Sequence, residues 1–149
     1  MDEHENYEEE CEALRKENEK YLALFKEYLE KAGLKAKTIR DHLSNVDFFI
    51  NDYLLYYDEI PMEEGYDQLD DFLGNFFIRK CMWSTPATIK STAASIKKFY
   101  KCMLEHGFVD KEAYEELCSD IKEGMPYWLD DCEEYNDPEC YNPFSPFDF

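Results

Sequence analysis

The chain is 149 residues long and carries 35 Asp+Glu against 16 Lys+Arg, a formal net charge of −19. That length suits one domain with a real core, and 17% aromatic residues with only 5 Gly and 6 Pro exclude a disordered chain and a turn-rich β-domain. No apolar run reaches bilayer length, and the first twenty residues are acidic and polar, the reverse of a secretory leader, so a cytoplasmic protein without a membrane partner is expected.

The pattern predicts a first helix over 5–32. Tyr7, Cys11, Leu14, Tyr21, Phe25, Tyr28 and Ala32 recur at steps of four and three, with Asn18 in the one polar slot. Gly33 suits the position after its end. A coiled-coil partner fits this stripe. So does the plainer alternative, in which the C-terminal half packs in the domain and residues 1–20 form a solvated acidic helical extension.

A second helix is predicted over 36–57, with Ile39, Leu43, Val46, Ile50, Tyr53 and Tyr57 on one face and Pro61 and Gly65 as stop signals. A third covers 66–82. Its wide apolar arc, built by Leu69, Phe72, Leu73, Phe76, Phe77 and Ile78, predicts a central position. Ser84 or Thr85 can cap a fourth helix over 86–105, whose first turn tolerates Pro86 and whose inward stripe is Ile89, Ala93, Ile96, Tyr100 and Met103. A fifth, capped by Asp110, is predicted over 110–122. After Gly124 the prolines and acids predict a tail over 123–149, either docked by its aromatics or flexible. The fold expected is all-α: an irregular four-helix bundle over 21–122, a fifth helix and an acidic aromatic tail.

Charge is distributed unevenly. Residues 31–40 hold Lys31, Lys35, Lys37 and Arg40 without an acid, and residues 79–101 hold Arg79, Lys80, Lys90, Lys97, Lys98 and Lys101 without an acid. On a helical wheel Lys90, Lys97, Lys98 and Lys101 share an arc of about 100°, and the small Ala87 and Ala94 lie inside it. Such a face fits a DNA groove. The hydroxyls of Ser84, Thr85, Thr88 and Ser91 add neutral donors near the start of the fourth helix, and Lys35, Lys37, Thr38 and Arg40 repeat the arrangement at the start of the second. A lysine face is most often simply solvated, but an ordinary solvated face mixes signs and this one does not.

The six cysteines form no Cys-x-x-Cys pair and none has a His beside it at ligand spacing, so no metal or cofactor is expected, and Cys81, Cys102 and Cys118, within helical patterns, are expected to be reduced, half-buried packing residues. The carboxylate pairs Glu63–Glu64, Asp70–Asp71 and Asp130–Asp131 are adjacent in sequence and on a helix would point about 100° apart, a poor basis for acid–base or Mg²⁺ chemistry.

The segments "FKEYLEKAGLKAKTIRDHLSNVDFFINDYL" and "LDDFLGNFFIRKCMWSTPATIKSTAASIKKFYKCMLEHGFV", in that order, resemble the N-terminal SAM-like core-binding domain of the tyrosine recombinase (phage integrase) family. The resemblance covers about residues 21–122 and includes the aromatic pair Phe99 and Tyr100. It implies a helical bundle that clamps one side of duplex DNA. Carried residue by residue, it implies DNA contacts at Lys35, Lys37, Thr38, Arg40, Thr85, Thr88, Lys90, Ser91 and Lys98, beside Lys97 and Lys101 from the charge pattern. The family's His-x-x-Arg motif is missing, since His4, His42 and His106 each precede other residues. The resemblance therefore implies a non-catalytic DNA-binding module linked to DNA integration or recombination, with double-stranded DNA as partner. The alternative is a protein-interaction or regulatory module of the same fold, pairing with a recombinase or another protein and self-inhibited by the acidic tail.

Overall fold

A computed structural model describes residues 3–136, with side chains from Glu5 onward. Among these residues every regular element is helical: α1 (Glu3–Lys31), α2 (Ala36–Asp47), α3 (Leu69–Asp71), α4 (Phe77–Lys80), α5 (Pro86–Glu105) and α6 (Lys111–Asn136). A π-helical stretch, Phe48–Tyr53, continues α2, a second one, Phe72–Phe76, joins α3 to α4, and Met62–Asp67 forms a 3₁₀ turn.

The helix ends follow local chemistry. Gly33 and Gly107 have φ of 79° and 81°. After each, the chain closes in the two-bond pattern that satisfies the last carbonyls: Leu34 N–H to Leu29 O and Gly33 N–H to Glu30 O, then Phe108 N–H to Met103 O and Gly107 N–H to Leu104 O. Thr85 caps α5. Its hydroxyl accepts from the Thr88 N–H at 3.1 Å, while the Thr88 hydroxyl accepts from the Thr85 N–H at 2.8 Å. Asp110 accepts from the Ala113 N–H at 2.8 Å before α6.

One aromatic core joins these helices. Phe25, Phe49, Phe72, Phe77, Phe99 and Tyr100 are all fully buried within it. Alongside the segment Leu69–Lys80, α5 is central: it packs against α1, α2 and α6. Its buried arc is therefore wider than the five-residue stripe predicted, and takes in Thr92, Ser95, Phe99 and Cys102. Tyr100 donates to the Met62 carbonyl at 2.6 Å. Gly65 lies against it, where a Cβ would come within 3.0 Å of the Tyr100 hydroxyl and 2.6 Å of Leu54 Cδ1. Gly65 thus serves close packing more than chain stopping.

Several expectations require correction. Regular helical backbone after α2 ends at Tyr53 rather than residue 57, because Leu54 turns the chain and its carbonyl accepts from the Ile60 N–H. The third helix starts at Leu69, since Met62–Asp67 winds as a 3₁₀ turn. The acidic stretch near the N-terminus is not merely a solvated extension. Cys11 and Asn18 are buried. Asn18 donates to the Ile50 carbonyl and to Asn51 Oδ1, and Tyr7 donates to the Leu55 carbonyl. The polar slot in the stripe serves carbonyls at the widened end of α2, where backbone partners are fewer.

The largest correction is at α6, which runs to Asn136 rather than stopping near residue 122. Pro126 sits inside it, and the cost of that proline is offset by continued burial. Trp128 and Cys132 extend the face begun by Leu117. Trp128 fills a slot between two glycines: a Cβ on Gly74 would lie 2.8 Å from its Cδ1, and one on Gly124 2.3 Å from its Cζ2. Its indole N–H donates to Asp70 Oδ1 at 2.8 Å. At the far end Asn136 donates to the Ser84 carbonyl at 2.9 Å. Within the predicted tail, residues 124–136 are therefore packed helix, and the expectation for 137–149 lies outside the described residues.

Candidate nucleic-acid interface

The first turns of α2 and the outer face of α5 meet across a polar cleft lined by Thr38, Asp41, His42, Asn45, Ser91 and Ser95. Ser95 fastens the two helices together. His42 Nδ1 lies 2.7 Å from Ser95 Oγ, Asn45 Nδ2 donates to the same oxygen at 3.0 Å, and Ser95 donates to the Ser91 carbonyl at 3.0 Å. Thr38 of the first island and Ser91 of the second thus line the same cleft.

Lys90, Ala94 and Lys98 are spaced by four residues along α5. The small Ala94 lines the cleft, and the two lysines bracket it at a rise of about 12 Å. Lys98 acts on His42 electrostatically, which places it on the α2 side of α5. Burial lowers the His42 pKa, and the neighbouring Lys98 lowers it further against the opposing pull of Asp41. Lys35, Arg40, Lys90, Lys97 and Lys98 are exposed, and among the described residues none of them forms an ion pair.

The other assigned residues are placed differently. Lys37 pairs with Asp41 at 3.4 Å on an open helix face. Arg40 is two residues from Thr38, so it lies about 160° around α2 from the cleft wall. The Lys101 ammonium sits 5.4 Å from the Tyr114 ring centroid, turned toward α6. At the start of the second island, Arg79 lies over Tyr135 and Lys80 over Tyr56. Arg79 also shares a recess with Asp131 and Glu134. The acid-free run of 79–101 therefore supplies several faces: Arg79 and Lys101 engage rings of α6, Lys80 engages Tyr56, and Lys90, Lys97 and Lys98 remain on the outer face of α5.

The hydroxyls are also committed. Thr85 and Thr88 form the α5 capping box, Thr88 donates to the Thr85 carbonyl at 3.0 Å, and Ser91 donates to the Thr88 carbonyl at 3.2 Å. A hydroxyl has one proton, so one that donates to a backbone carbonyl has none left for phosphate. Thr85→Ala should accordingly lower the unfolding free energy by about 1 kcal/mol while leaving duplex affinity within about twofold. Thermal unfolding and fluorescence anisotropy check the two halves.

His42, Asn45 and Ser95 were not among the residues singled out by sequence. Ser95 lies outside the predicted inward stripe of α5, and the docking of α2 against that flank gives it its side-chain partners. The spacing of Thr38, His42 and Asn45, four and three residues apart, is the signal that places them on one wall.

The remaining groups show little reactive chemistry. Cys81 and Cys102 are free thiols whose pKa burial pushes up to about 11. Among the described residues no group of three or more His, Cys, Asp or Glu is arranged to hold a metal ion, and no helix is long and apolar enough to cross a membrane. Comparison with protein-family models, with curated proteins and with solved structures found no match.

Proposed function

We propose that this chain is a non-catalytic DNA-binding module whose bundle follows the SAM-like plan of recombinase core-binding domains, and that it works in DNA integration or recombination. The observation that carries this reading is the outer face of α5. Lys90, Lys97 and Lys98 stand exposed without an ion-pair partner among the described residues, beside the start of α2, in a chain of net charge −19. Duplex DNA is a line of phosphates that neutralises such a face on contact, while the acidic remainder repels other orientations. Lys35 extends the cationic surface at the start of α2, while Arg40 faces away from it.

Lys37, Arg79, Lys80 and Lys101 have other partners, so the interface comprises about four phosphate contacts rather than the full set of cations. Affinity should then fall about 100-fold between about 50 and 200 mM salt, with a log–log slope near −3.6. Anisotropy of a labelled duplex measures this directly, and a flat salt profile would remove the proposal.

A second reading, a protein-interaction module of the same fold with a recombinase as partner, has one observation in its favour. Tyr56, Tyr57, Met82 and Trp83 are exposed, and ring contacts through Phe76 and Phe48 connect Tyr57 to Trp83. In the self-inhibited version the acidic C-terminal region covers the basic face. Its described part, residues 123–136, engages Arg79 of that island through Tyr135 and the recess with Asp131 and Glu134, and the Ser84 carbonyl through Asn136.

A further inference from the structure

Resting on the DNA-binding reading, we infer that His42 is a proton-dependent phosphate ligand of the α2–α5 cleft, inactive when neutral and completing the cationic site when protonated. The hydrogen bonds around Ser95 determine how the ring does this. We assign the one Ser95 proton to the Ser91 carbonyl at 3.0 Å. With that assignment its oxygen accepts from Asn45 Nδ2 at 3.0 Å and from His42 at 2.7 Å, the tautomer in which Nδ1 carries the ring proton of the neutral form. The neutral ring accordingly has its lone pair on Nε2, and a lone pair repels a phosphate oxygen. Protonation adds an N–H at Nε2 and a positive charge without disturbing the bond to Ser95.

The surroundings make that proton responsive to an anion. The charged groups acting on the ring are Asp41 from α2 and Lys98 from α5, while α1 presents the uncharged Phe25 ring at 6.4 Å. Burial and Lys98 together outweigh Asp41 and keep the free ring neutral at ordinary pH. A phosphodiester seated between Lys90 and Lys98 reverses the local field: it screens Lys98 and favours the imidazolium. By linkage, the state that binds phosphate also binds the proton, so affinity rises as pH falls. The half-buried ring cannot simply turn into solvent to escape this coupling, because Ser95, itself held by Asn45, keeps its other nitrogen in place.

The test is an NMR titration of the His42 ring protons, with and without a short DNA duplex, paired with anisotropy from about pH 8.0 to about pH 5.5, a range that brackets the ordinary His value. Duplex should raise the His42 pKa by about one unit, and affinity should rise about tenfold across the range. His42→Gln should lose most of the pH dependence of that affinity. His106, at the other end of α5 with Nδ1 against the Cys102 carbonyl, is the internal control, and its signal should not respond to duplex. Duplex binding with an unmoved His42 titration overturns the inference and leaves the DNA-binding reading standing. No duplex binding even at the lower pH overturns both.

Discussion

Replacing Trp128 by alanine is expected to lower the unfolding free energy by about 3–5 kcal/mol, a large part of the total for a domain of this size. The indole is 1% exposed and fills a slot that only two glycines leave open. Truncation removes most of its buried area and leaves a cavity that two helix backbones cannot collapse into. The lost hydrogen bond adds little, since Asp70 is exposed and water replaces the indole N–H. Urea unfolding followed by circular dichroism measures the loss. Residues 124–136 should fray first, because Pro126 removes one backbone bond just where the anchor is lost.

A companion variant makes the packing argument independent of the size of that loss. Gly124→Ala in the native background puts a Cβ 2.3 Å from Trp128 Cζ2 and should destabilise by about 1–3 kcal/mol, despite the better helix propensity of alanine. In the Trp128→Ala background the same change should stabilise by up to about 1 kcal/mol, since only propensity then acts. That reversal of sign in a double-mutant cycle isolates the contact. Stabilisation by Gly124→Ala in both backgrounds would show that the indole does not occupy the slot.

Most of what the sequence made legible came from periodicity and punctuation. The α5 boundaries follow from Thr85, Pro86 and Gly107, each of which has a single local reason to be where it is. The end of α6 was illegible for the same reason. Gly124 and Pro126 are stop signals when read locally, and their local cost is outweighed by the non-local burial of Trp128 and Cys132. Gly65 and Gly124 were read as breaks, whereas each makes room for a ring from a distant position, Tyr100 or Trp128. The spacing from Leu117 through Ile121, Met125 and Trp128 to Cys132 did continue the helical period, but nothing in the sequence alone weighs it against a proline.

The basic face shows the same division. Composition located both islands, and the fold decided which cations remain available. A wheel treats Lys90, Lys97, Lys98 and Lys101 as equivalent. It cannot show that Tyr114 stands beside Lys101 or that His42 stands near Lys98, since both come from neighbouring helices. Likewise the hydroxyls of Thr85 and Thr88 look like free donors in the sequence, while in the fold Thr85 donates to Thr88 Oγ1 at 3.2 Å and Thr88 to the Thr85 carbonyl at 3.0 Å.

Reversing Lys90, Lys97 and Lys98 together to glutamate should weaken duplex binding by about 500-fold at about 0.1 M salt. Each lost phosphate contact costs about 0.9 log units of counterion release at that concentration, and three cost about 2.7. The side chains are exposed and make no ion pair among the described residues, so stability should change by no more than about 0.5 kcal/mol per site. The decisive comparison is a second triple variant, Lys16→Glu, Lys20→Glu and Lys122→Glu, which changes the net charge by the same amount at exposed positions on α1 and α6. Screening over about 10 Å confines the effect of those distant charges, and affinity should fall no more than about threefold. If both triples weaken binding equally, the overall charge governs association and the α5 face has no special role. If only the α5 triple does so, its loss should also flatten the salt profile by a slope of about 2.7, because the same three ion releases set both quantities.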